Sequence, residues 1–140
     1  MNLQQLQNTV AEAVRRIPLL AGLPILEEDK GNLVEELNAA VAKMKFAVVV
    51  GTATFSSEAR SSKQITGTAS VEIDVFEQPT LNRAKSNRPT AMCAAQEIAR
   101  ELNIIQCGDG VLVFKSIDNA ETIDEETICV PVKFSTLTTL

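Results

Sequence analysis

The sequence of 140 residues contains no histidine, no tryptophan and no tyrosine. Histidine is the usual general base near neutral pH and the commonest metal ligand. Its absence excludes the Ser–His–Asp triad, the Cys–His pair and zinc sites built on Cys and His. Cysteine is scarce as well. Cys93, Cys107 and Cys129 are odd in number, widely spaced and form no C-x-x-C motif. They read as free thiols of a reducing, intracellular compartment and as small core residues. There is no long hydrophobic run. The longest apolar stretch, around Phe46–Val50, is too short to span a bilayer. Met1 to Ile17 lacks the apolar core of a signal peptide. Positive charge is also in short supply: 13 Lys and Arg against 18 Asp and Glu leave a net charge of −5. Such a balance does not attract phosphate backbones, so nucleic acid is not an expected partner, and with no bilayer-spanning run a membrane is not one either.

What is present reads as a single domain over residues 1–140. Leu3, Leu6, Val10, Val14 and Ile17 recur at helical spacing, which predicts a helix from Asn2 to Arg16 that Pro18 ends. A short strand is expected around Pro24–Glu27. Asn32, with Glu35 three residues on, predicts a capping box for a second helix carrying Leu33, Leu37, Val41 and Met44. Phe46 to Phe55 reads as one strand covered on both faces. From Ile65 to Phe76 apolar and polar residues alternate, which predicts a long half-buried strand completing a hairpin. A third helix is expected from Thr90 to Leu102. A turn at Gly108–Asp109–Gly110 leads to strands over Val111–Ile117 and Thr127–Leu137, with Pro131 arguing that the last is an edge strand. The expected fold class is α+β in the order α-α-β-β-α-β-β. Two hairpins would form a mostly antiparallel four-stranded sheet with helices packed on one face.

No catalytic constellation stands out. Glu27–Glu28–Asp29 reads as a solvated turn ahead of a helix before it reads as a divalent-ion site. Glu72 and Asp74 share one strand face, where a carboxylate pair could do acid–base work, but no nucleophile accompanies them. The stronger signal is charge segregation. Arg83, Lys85 and Arg88 carry +3 within six residues, and Asp118, Glu121, Asp124, Glu125 and Glu126 carry −5 within nine. Two such loops are either solvated surface or the two halves of a head-to-tail contact between copies of the chain.

Several stretches resemble a known family: Pro24-Ile-Leu-Glu-Glu-Asp-Lys-Gly31, Asn32-Leu-Val-Glu-Glu-Leu37, Lys45-Phe-Ala-Val-Val-Val-Gly-Thr52, Val71-Glu-Ile-Asp-Val-Phe-Glu77, Pro79-Thr-Leu-Asn-Arg83 and the helix Thr90–Leu102. Together they are similar to tail terminator (tail-completion) proteins of long-tailed bacteriophages and prophages. The resemblance implies an α+β subunit that forms a ring, commonly a hexamer, which caps the tail tube and meets the head-side connector protein. It implies host cytoplasm during assembly and then the tail of a particle, no catalysis and no cofactor. It would place ring and tube contacts on the hairpin tip Ser56–Lys63, with Arg60 and Lys63, on the loop Gln78–Pro89 and on the acidic loop Asp118–Glu126. Another head–tail joining or minor tail protein, a small adaptor or ligand-binding domain, and a carboxylate enzyme using Glu72 and Asp74 stay open as alternatives.

Overall fold

The computed structural model describes residues 1–29, 31–57, 63–84 and 88–140. Helix α1 (Leu3–Arg15) begins where the Asn2 side chain accepts from the Gln4 N–H, an N-cap that satisfies one orphan donor. A 3-10 turn at Pro18–Leu20 follows, then β1 (Ile25–Glu27), α2 (Leu33–Met44), β2 (Phe46–Val50), β3 (Thr54–Ser57) and β4 (Thr66–Glu77). After α3 (Pro79–Asn82) come α4 (Ala91–Leu102), the two-residue strands β5 (Gln106–Cys107) and β6 (Gly110–Val111), β7 (Val113–Ile117), β8 (Glu121–Thr122) and β9 (Ile128–Thr139).

The fold is α+β, but the sheet is larger than four strands and mixed. Among the described residues its order is β1-β2-β4-β9-β7, with β3 also paired to β4 and β8 to β9. β1 runs parallel to β2 and the other pairs are antiparallel. The long β4–β9 ladder, from Thr66↔Thr139 to Glu77↔Ile128, is its spine.

Helices cover both faces rather than one. Leu6, Val10 and Val14 of α1 and Ala94, Ala95, Ile98 and Leu102 of α4 pack on Val48, Val50, Val71, Ile73, Val132 and Phe134. Each fully buried Val, Leu, Ile or Phe side chain contributes about 1.5–3 kcal/mol. α2 lies on the opposite face, where Leu33, Leu37 and Val41 approach Val49 and Phe76. That second layer is why Ala47 and Val49 are buried although they point away from the main core. α2 starts at Leu33 as the pattern suggests, but the Asn32 side chain makes no capping hydrogen bond.

Phe46–Phe55 is two strands. Gly51, Thr52 and Ala53 oppose only Val71 and Glu72, because Val50 pairs with Ile73 and Thr54 with Ser70. The extra residue is a bulge, and it moves the inward positions from Phe46, Val48 and Val50 to Ala53 and Phe55. Gly51 suits the bend, since a Cβ there would sit 2.9 Å from the Glu72 carbonyl oxygen.

Pro131 lies in the interior of the sheet, not at its edge. A strand residue's N–H and C=O point to the same neighbour, and the Pro131 carbonyl accepts from the Asp118 N–H at 3.0 Å. The missing donor therefore faces the end of β7, where the chain turns away, and costs no ladder bond to β4. Of the cysteines, Cys107 and Cys129 are buried core residues, but Cys93 is exposed on α4 and is not a core hydrophobe.

Candidate functional site

The end of β4 and the start of β9 bring the two charged loops to one end of the molecule. A groove of 390 Å³ runs between the segment Gln78–Leu81 and the segment Asp124–Ile128. The basic side is largely engaged within its own chain. Glu77, the last residue of β4, is fully buried. Its carboxylate accepts from Asn82 Nδ2 at 2.7 Å, from the Ala91 N–H at 3.0 Å and from Arg83 Nη2 at 3.4 Å. A buried carboxylate is tolerable only when hydrogen-bonded in this way. Glu77 thereby ties β4, α3 and the first turn of α4 together, a role that no sequence pattern pointed to. Asn82 Nδ2 also donates to the Pro89 carbonyl at 2.9 Å. Arg88 donates to the carbonyl of Met44 at the C-terminus of α2, where a cation suits the helix dipole. Lys85 and Arg60 lie outside the described residues.

The acidic side is more open. Asp124 accepts from the N–H groups of Glu126 and Thr127, both at 2.8 Å, and the Glu126 bond leads in holding its carboxyl below the usual range. Asp118 is 2.7 Å from Lys133 Nζ, and its carboxyl is held low first by that bond and then by the Ser116 hydroxyl. Glu121, Glu125 and Glu126 are exposed, with no ion pair among the described residues. Lys63 is exposed at the far end of β4.

Glu72 and Asp74 do border a cavity, of 210 Å³, between α2 and the sheet. Glu28 joins them there, and Leu33, Leu37, Val49 and Phe76 form its apolar walls. The Asp74 carboxyl is pushed up to about 7. Burial is the main cause, followed by the neighbouring Glu72 carboxyl and the charges of Glu28 and Glu121. Asp74 Oδ1 is buried without a hydrogen-bond partner. Glu28 is committed elsewhere: its carboxylate accepts from the Thr52 N–H at 2.8 Å and so braces the β2–β3 bulge. Among the described residues no group of three or more Asp, Glu or Cys side chains is arranged to hold a metal ion, and no helix is long and apolar enough to cross a membrane.

No protein-family model matches the chain, and no curated protein matches it. Solved structures do. The chain superposes on a chain from the virion of a native gene transfer agent particle with a TM-score of 0.66. The match covers 96% of this chain and 95% of that one at 16% identity. A second solved structure matches with a TM-score of 0.57 at 10% identity, over 96% of this chain and 90% of that one. At such identities the property shared is the fold.

Proposed function

We propose that this protein is a structural subunit of a phage-like particle, of the tail terminator kind. Copies of it form a ring that caps the tail tube and presents a surface to the head-side connector. The observation that carries this reading is the end-to-end likeness to the gene transfer agent virion chain, which leaves neither protein with an unmatched domain. The resemblance in element order and motif to tail terminators points the same way. In this reading the chain acts by assembly in the host cytoplasm, without catalysis or cofactor, and ends in the tail of the particle.

The cavity beside Asp74 favours a rival, ligand-binding or acid–base reading, because a carboxyl held near neutrality is suited to proton transfer. Its 210 Å³ falls below the roughly 300 Å³ at which small-molecule sites begin, so the structural reading is preferred. The test is electron microscopy of the purified protein, alone and mixed with tail tubes from the same gene cluster. Rings, or a single cap at one end of each tube, are the expected result. A monomer that never decorates a tube end would overturn the reading.

A further inference from the structure

The 390 Å³ groove at one end of the molecule has an uneven character. Its Gln78–Leu81 wall carries no charge, and Leu81 there is 46% exposed. The opposite wall carries Asp124, Glu125 and Glu126. Asp124 is used up by the backbone of its own turn, which leaves Glu125 and Glu126 as uncompensated charges on the rim. An occupant must therefore offer a cation beside an apolar side chain.

The chain itself carries such a segment. Most described cations are already engaged: Arg15, Arg16, Arg83, Arg100 and Lys133 pair with carboxylates, while Arg88 and Lys45 donate to carbonyls. Lys43, Lys63 and Lys115 remain. Lys43 lies at the groove's own end of the molecule, in the last turn of α2. Lys115 lines a different groove of the sheet together with Lys133. Lys63 stands two residues from Ile65, which is 47% exposed. The Leu140 N–H donates to the Ile65 carbonyl at 2.9 Å and so anchors this segment to the sheet. The pair precedes β4, whereas the groove follows it. The 12 residues of β4 thus separate them, which amounts to roughly 40 Å at about 3.4 Å per residue.

We infer that the Lys63–Ile65 segment of one copy docks into the Leu81/Glu125–Glu126 groove of the next. The inference rests on the reading of the chain as a self-assembling subunit. Lys63 meets the two rim carboxylates and Ile65 covers Leu81. The two surfaces lie at opposite ends of one strand, so successive copies joined head to tail make a heterologous contact, the kind that closes into a ring when the rotation allows. It assigns the acidic loop a different partner from the Arg83–Arg88 loop, whose two described arginines are held in their own chain.

The experiment is zero-length carbodiimide crosslinking of mixed unlabelled and nitrogen-15-labelled protein, read by mass spectrometry. Mixed-isotope peptides joining Lys63 to Glu125 or Glu126 are expected. Lys63→Glu should weaken self-association by about tenfold or more, and adding Glu125→Lys with Glu126→Lys to that variant should restore it. All three residues are exposed, so folding is checked simply by an unchanged thermal melt. Intermolecular crosslinks elsewhere, with association indifferent to these changes, would overturn the contact and leave the ring reading standing. A wild-type protein that neither self-associates nor caps tubes would overturn both.

Discussion

Across the β4–β9 ladder Glu72 faces Lys133, whereas Asp74, two residues on, faces Pro131. Glu72 thus has an ammonium 3.8 Å away, and Asp74 has a proline ring that can donate nothing. This difference leaves one carboxylate of the pair compensated and the other half-buried and underpaired.

The first prediction follows from Asp74. Its folded pKa of about 7 lies above its unfolded value of 3.8. Between these values the folded state holds a proton that the unfolded state has lost. Stability therefore falls as pH rises from about 4 to about 7 and then levels off. Asp74→Asn should remove this loss. It should stabilise the protein at pH 8 by about 1–2 kcal/mol, less than the full shift would give because the side chain keeps some access to water. Near pH 4 it should change little. Thermal melts across this range would show it, and equal effects at both ends would refute it.

Glu77 makes the second prediction. Truncation by Glu77→Ala leaves the Ala91 N–H and Asn82 Nδ2 short of an acceptor in a buried setting, at a cost of about 3 kcal/mol. Arg83→Ala removes only a half-exposed cation, with 55% of its side chain accessible, and should cost less than about 1 kcal/mol. Urea unfolding of the two variants separates a buried hub from a surface ion pair.

Gly67 makes the third. A Cβ at this position would lie 2.0 Å from the Ser56 carbonyl oxygen and 2.8 Å from Ser57 Cα, both backbone atoms. Gly67→Ala should force β3 away from β4 and cost about 2 kcal/mol or more. Faster amide exchange at Thr54–Ser57, with the β4–β9 core still protected, would confirm that the damage is local.

The thiols make the fourth. Cys93 is exposed, while Cys107 and Cys129 are buried. Burial raises both buried thiols. That of Cys129 is pushed up to about 12, by burial first and then by the charges of Asp74, Glu121 and Glu72. Since the thiolate is the reactive form, the native protein should react with a thiol-disulfide reagent at one site, and the unfolded protein at three. Three fast sites in the native state would contradict the structure.

Much of the fold is written in local periodicity. The alternation puts Gly67, Ala69, Val71, Ile73 and Val75 inward as expected, because side chains in a strand take opposite faces by turns. Helical spacing places α1, α2 and α4 within a residue or two of their ends. Local pattern misses whatever depends on partners distant in sequence. Nothing in Ile25–Glu27 says that it pairs parallel with β2. Nothing in Phe46–Phe55 says that one residue is extra until β4 lies beside it. Pro131 suggested an edge because proline lacks a donor, yet the direction of its missing N–H relative to β7 and β4 is a property of the sheet. The charged loops were legible as composition, but their convergence at one end, and the loss of Arg83 and Arg88 to in-chain partners, were not.

The sequence by itself determined that histidine-dependent chemistry is unavailable, that the chain builds helices around a long alternating strand, and that opposite charges are gathered in separate loops. These follow from side-chain inventory and from periods of two and 3.6 residues, which act over short stretches of chain. Only the tertiary structure decided that the sheet is mixed, that helices lie on both its faces, that Glu77 is a buried hub and that Asp74 keeps its proton near neutrality. Each of those depends on which groups approach through space, and that is set by packing among elements far apart in the chain.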